Sequence, residues 1–159
     1  MPERDSGFTL VEMMVVVGVI AILALLTIPA AVDRLIRNQI VDALPLADIA
    51  KGPIAASWAL SHTLPADNAS IGLPVPEKVV SNYVRALAVE GGAIHITFGN
   101  RANNQIQGKT LTLRPAIVAD APVVPVAWVC GMAAAPGNMT TLGENRTDIP
   151  AAFLPLQCR

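Results

Sequence analysis

Glu12 is the one charged side chain between residues 8 and 32 of this 159-residue chain. A lone carboxylate in apolar surroundings is costly and is usually found with a partner, so the chemistry it asks for is ion pairing. Cys130 and Cys158 are the only cysteines. A bridge between them would close a loop of about 27 residues and, in the chain-entropy description, stabilise the fold by on the order of 3 to 4 kcal/mol. Such a bridge requires an oxidising compartment; two unrelated buried thiols are the other reading, and a zinc site would need more ligands. His62 and His95 have no acid or nucleophile near them in sequence and read as surface or half-buried histidines. The chain carries no P-loop, dinucleotide fingerprint or metal-ligand spacing. These residues point away from an enzyme and imply no cofactor and no metal.

Charge excludes a second class. The formal charge is −1, and removing residues 1–7 takes away Glu3, Arg4 and Asp5, leaving ten basic and ten acidic side chains. A neutral chain does not capture nucleic acid over a broad surface. Arg101, Lys109 and Arg114 can line one sheet edge and touch DNA phosphates, a weak basis for DNA binding. Aromatic residues make up 4% of the chain, which leaves no stacking platform for single strands. Asn68-Ala-Ser, Asn138-Met-Thr and Asn145-Arg-Thr match the glycosylation tripeptide, a short pattern that arises readily by chance.

The element that must position Glu12 is the apolar run itself. Residues 8–32 number 25 with one charge, long enough as a helix to cross a hydrocarbon core of about 30 Å. A secretory signal requires a positive head and a shorter apolar stretch, whereas the head here, "MPERDSG", mixes Glu3, Arg4 and Asp5. A plain single-pass anchor fits the length and leaves Glu12 without a partner. Gly18 weakens the helix, and Pro29 removes an amide donor and crowds the Leu25 carbonyl, so the helix is expected to bend there.

A short polar leader ending in Gly7, then Phe8, then "TLVE" opening an uninterrupted apolar run, resembles the class III signal of type IV pilins and related pseudopilins. The resemblance implies that prepilin peptidase cuts between Gly7 and Phe8 and methylates the Phe8 amine. It also implies that Glu12 pairs with the Phe8 amine of a neighbouring subunit, and that Pro29 marks a stretch able to lose helicity as subunits pack. Read from the residues alone, Glu12 can instead snorkel to the headgroups, and Pro29 can be a plain membrane kink.

Beyond residue 32 the pattern becomes amphipathic without a linker. Ile36, Ile40, Leu44, Ala47, Ala50, Ile54 and Trp58 recur at three or four, predicting one helix to about Thr63 that is kinked or broken by Pro45 and Pro53. Residues 64–78, "LPADNASIGLPVPEK", read as a surface loop. Strands are expected at 83–90, 93–98, 109–115 and 123–131, with Gly91-Gly92 as a hairpin turn. The fold class is α+β, a long N-terminal helix packed on a four-stranded antiparallel meander. "GGAIHITFGNRANNQIQGKTLTLRPAI" resembles the pilin sheet region, and "AWVCG" with "IPAAFLPLQCR" its disulfide-bounded terminal loop.

The expected organisation is a leader at 1–7, a transmembrane and filament-core helix half at 8–32, an amphipathic half at 33–63, and a headpiece at 64–159. The implied protein is a structural subunit polymerised into type IV pili for adhesion, twitching motility or DNA uptake. Its implied partners are itself, prepilin peptidase, the inner-membrane assembly machinery and the membrane. Its implied location is the inner membrane as precursor and then a surface filament. A minor pilin, a type II secretion pseudopilin and a membrane-anchored periplasmic binding domain are the alternatives.

Overall fold

The computed structural model describes residues 7–159, and the leader at 1–6 lies outside the described residues. The chain divides into two compact units, Met1–Leu35 and Ile36–Arg159. Helix α1 runs over Leu10–Ala43, with helical backbone through Gly18 and Pro29. The surroundings of the Pro29 side chain are outside the described residues. A 3₁₀ turn at Leu44–Ala47 then leads into helix α2, Asp48–Ser61.

The two later prolines have different fates. Pro45 enters the 3₁₀ turn in its opening positions, where a missing amide hydrogen breaks no helical bond, and this is where α-helical bonding stops. Pro53 is accepted inside α2. The buried stripe is Ile36, Ile40, Ala43, Ala47, Ala50 and Ile54. Ala43 therefore takes the place expected of Leu44, which is only half-buried, as is Trp58. Alternating steps of four and three keep the stripe on one face of a 3.6-residue helix, and Leu44 falls off that line.

The sheet is a meander, β1 Val84–Glu90, β2 Ala93–Phe98, β3 Thr110–Ile117 and β4 Ala127–Cys130, each antiparallel to the next. Its core face carries Leu87, Val89, Ile94, Ile96, Phe98, Leu111 and Leu113, all buried with the helical stripe. Gly91 and Gly92 turn the first hairpin with φ of 54° and 81°, values that a primed turn requires. β3 runs two residues further than expected, and a fifth strand, β5 at Thr140–Thr141, accounts for it. β5 pairs with Ala116 and Ile117 where the β2 ladder has ended at Ile94↔Leu113. Two residues of bonded ladder leave too short a pattern to read as a strand in sequence.

The loop at 64–78 is tied down rather than wandering. Gly91 and Gly92 donate their amides to the Ala66 and Pro65 carbonyls at 3.2 and 2.9 Å. Asn68 is buried and bonded on both sides of its amide: Nδ2 donates to the Pro74 and Leu87 carbonyls at 2.9 Å each, and Oδ1 accepts from the Val89 amide at 2.6 Å. Leu87 and Val89 flank Ala88 on the unpaired edge of β1, so one side-chain amide does there what a neighbouring strand would do. A buried, fully bonded amide is also no glycan acceptor in the folded protein, which disposes of the Asn68-Ala-Ser match.

Candidate assembly and processing site

Gly7, Phe8 and Thr9 are non-helical and exposed, and the helix begins at Leu10. What starts it is Thr9. Its hydroxyl accepts the Glu12 amide at 3.2 Å, and its carbonyl accepts the Met13 amide at 3.2 Å. Thr9 is thus the N-cap, and Glu12 occupies the third helical position, where a carboxylate also favours the positive end of the helix dipole. Thr-x-x-Glu before an apolar run is a capping-box pattern legible in sequence, although only its threonine half is bonded here. The cap leaves the Gly7–Phe8 peptide outside the helix.

The helix that follows is apolar on every side. Phe8 is 76% exposed, and Leu10, Val11, Met13, Met14, Val15, Val17, Ile20, Ile22 and Leu23 are exposed around the full circumference. Thr27, the one hydroxyl within this part of the helix, turns back onto its own backbone at the Leu23 and Ala24 carbonyls, 3.1 and 3.2 Å away. The helix thereby presents a surface without a free donor. It is long and apolar enough to cross a membrane, and a helix hydrophobic all round must be covered by lipid or by other helices. The Glu12 side chain is exposed on that surface.

At the other end of the chain Cys130 and Cys158 are joined, their sulfurs 2.04 Å apart. Gly131 follows the first of them with φ of 57°, and a Cβ there would stand 2.5 Å from the Cys158 carbonyl oxygen, so only glycine permits the approach. The loop they enclose returns across the sheet face turned away from the core. Gly143 lies against Ala93, the Arg146 amide donates to Thr112 Oγ1 at 3.0 Å, and the Thr112 amide donates to Thr147 Oγ1 at 3.0 Å. The Thr110 amide donates to Asp148 Oδ1 at 2.6 Å. The Arg146 guanidinium bridges Glu90 at 2.7 Å and Glu144 at 3.0 Å, and these two carboxylates raise its pKa.

His95 lies under this segment and is 4% exposed, a burial the sequence did not reveal. Burial lowers its pKa, and the neighbouring Arg146 charge lowers it further. His62, by contrast, ends α2 in a left-handed conformation and is exposed. Of the three cations considered for DNA, Lys109 donates to the Asp148 carbonyl and Arg114 to the Gly131 carbonyl at 3.5 and 3.4 Å. Arg101 is exposed in the turn after β2.

A family profile for bacterial filament pilins matches residues 37–159, and one for the prokaryotic N-terminal methylation motif matches residues 4–28. The chain belongs to the pilin family. Among relatives of this pilin, the type IV major pilin protein PilE of Neisseria gonorrhoeae is 32% identical over 166 aligned positions, covering all of this chain and 96% of that protein. A fimbrial protein of Neisseria meningitidis serogroup A is 29% identical over 168 positions, again covering 96% of its length. Prepilin peptidase-dependent protein D of Escherichia coli K12 is 30% identical over 71% of this pilin and 74% of its own length. The methylation-motif match contains Gly7, Phe8 and Glu12, and the pilin match contains the whole sheet and both cysteines.

Proposed function

We propose that this pilin is the structural, non-enzymatic subunit of a type IV pilus, held in the inner membrane as a precursor, cut between Gly7 and Phe8, N-methylated at Phe8 and polymerised into a surface filament. The observation that carries this reading is the exposed helix surface, apolar on all sides but for Glu12, behind a capped, non-helical cleavage sequence. A surface that needs covering on all sides serves first in lipid and then among identical helices, where many contacts add along the fibre. In this scheme residues 1–7 are the leader, 8–32 the anchor and filament core, 33–63 the amphipathic half and 64–159 the headpiece.

Glu12 supplies the register. Removing the leader creates an amine at Phe8, and a neighbouring subunit that offers this amine at the depth of Glu12 neutralises the carboxylate in the dry filament core. The uncut chain has no such cation at that position, which makes processing a condition for assembly. Within residues 8–32, Pro29 alone cannot donate a helical amide bond, here to Leu25, so this stretch is where the helix would yield on packing. The loops at 64–78 and 131–157 face outward and carry contacts for adhesion, with the disulfide keeping the second shaped under load.

Intact mass and N-terminal peptide mapping on protein from sheared surface material test this reading. The expected chain starts at Phe8 with one added methyl group and a mass two hydrogens below the reduced form. A chain that starts at Met1 in cells with active prepilin peptidase and stays in the membrane would overturn it. Recovery of processed chain from the envelope of a secretion mutant, with none in sheared fibres, would indicate a pseudopilin instead.

A further inference from the structure

His95 sits in the middle of the outer sheet face, in register with Ala88 on β1 and Thr112 on β3. Its Nδ1 is 3.0 Å from Thr112 Oγ1, and Thr112 is fully buried. That same hydroxyl oxygen accepts the Arg146 amide of the disulfide-bounded loop. A threonine hydroxyl has one proton to give. The Arg146 amide occupies one lone pair, and among the described residues His95 Nδ1 is the one acceptor within reach of the hydroxyl proton, so the proton goes there. Nδ1 is then an acceptor, the ring is neutral, and its hydrogen is on Nε2, which is buried without a partner among the described residues.

A second proton has no place in this arrangement. It would turn Nδ1 into a donor, bring two donors onto Thr112 Oγ1, and leave the hydroxyl hydrogen without an acceptor in a buried site. It would also place a cation beside Arg146. The charged groups that face the ring are Arg146 and Glu144 from the loop and Glu90 from β1, with Arg114 two residues beyond Thr112 on the same face of β3. The carboxylates of Glu90 and Glu144 favour a charged ring but are already bonded to the Arg146 guanidinium. Gly143 lies against Ala93, and the ring is 4% exposed with this segment in place.

We propose that His95 and Thr112 form an acid-sensitive latch that holds residues 143–146 of the disulfide-bounded loop against the sheet, and that protonating His95 releases this segment. The disulfide keeps both ends of the loop in place, so the released region is internal and the rest of the sheet stays formed. A filament exposed to acid would then present a different outer surface without disassembling.

Amide hydrogen exchange on the full-length protein in detergent micelles tests this, at pH 7.5 and pH 5.0, with rates corrected for the intrinsic pH dependence of exchange. The expected result is that protection at Arg146 and Thr147 falls up to ~10-fold for each pH unit in which His95 takes up one proton on opening, while Ile96 and Leu111 in the β2–β3 ladder keep theirs. His95→Gln, which keeps a neutral acceptor, should remove the pH dependence. Thr112→Val, which removes the acceptor of the Arg146 amide, should raise exchange at Arg146 already at pH 7.5. Equal protection at both pH values, or an unchanged pH dependence in His95→Gln, would overturn the proposal. Should either variant fail to fold, the ring titration of His95 in the wild-type protein decides: it must move together with the Arg146 and Thr147 amide signals, and a titration that leaves those signals in place also overturns it.

Discussion

Replacing Asn68 by alanine should cost this pilin roughly 3 to 5 kcal/mol of stability. The side chain makes three hydrogen bonds, to the Pro74 and Leu87 carbonyls and from the Val89 amide. Each is worth about 1 kcal/mol net, but truncation strands the backbone groups on the other side, and a buried orphan costs about 1 to 3 kcal/mol. The bonds to Leu87 and Val89 are buried, whereas the one to Pro74 is partly hydrated. Two full penalties at the middle of that span, about 2 kcal/mol each, and one small one centre the loss at ~4 kcal/mol. Asn68→Asp is the sharper variant. It can still accept from Val89 but cannot donate, and it turns a second oxygen toward two carbonyls, so it should lose at least as much.

The assay is urea unfolding of the full chain in micelles, followed by the fluorescence of Trp58 and Trp128. A lower midpoint at unchanged denaturant slope isolates the stability change. The β1 edge is also left bare in the variant, which favours strand-to-strand association on refolding. A loss below about 1 kcal/mol for Asn68→Ala, or wild-type stability for Asn68→Asp, would refute the claim that this amide completes the sheet edge.

Three further outcomes are expected. Replacing Cys130 and Cys158 together by serine should remove about 3 to 4 kcal/mol, since the bridge spans a sequence separation of 28 residues, and unfolding midpoints measure this directly. Stability should be flat above pH 6.5 and decline below it, because the unfolded chain then protonates His95 at its ordinary value of 6.5 while the folded chain resists. The slope is at most about 1.4 kcal/mol per pH unit and ends at the lowered folded value; His95→Gln should abolish this component in denaturation at pH 8 and pH 5.5. Glu12→Gln should leave cleavage after Gly7 intact but reduce incorporation into fibres at least tenfold beside wild-type subunits, measured by mass spectrometry of sheared filaments, and equal incorporation would remove the pairing role assigned to Glu12.

Local rules made much of this pilin legible before any coordinates. Apolarity through residues 8–32 interrupted only by Glu12, the Gly91-Gly92 turn between β-forming runs and the proline-rich loop after α2 depend on near neighbours in sequence. The strand 93–98 was readable to the residue for the same reason, as a run of β-formers bounded by two glycine turns. The Thr9 cap is equally local, a Thr-x-x-Glu pattern directly before the apolar run.

What the tertiary structure decided concerns pairs far apart in the chain. His95 reads as an ordinary strand residue until residues 143–146 cross over it, and only then do burial and Arg146 set its protonation. Asn68 reads as a loop residue until the β1 edge arrives 19 and 21 positions later and needs one donor and one acceptor. β5 exists because β3 outruns β2 and its last two residues have ladder groups to satisfy. A propensity or a periodicity is a property of a window, whereas an unpaired backbone group or a buried ring acquires its partner from whichever segment the fold delivers. Near neighbours in the chain account for the helices, the four meander strands and the apolar surface that must be covered, whereas β5 and the matching of the remaining polar atoms come from the fold.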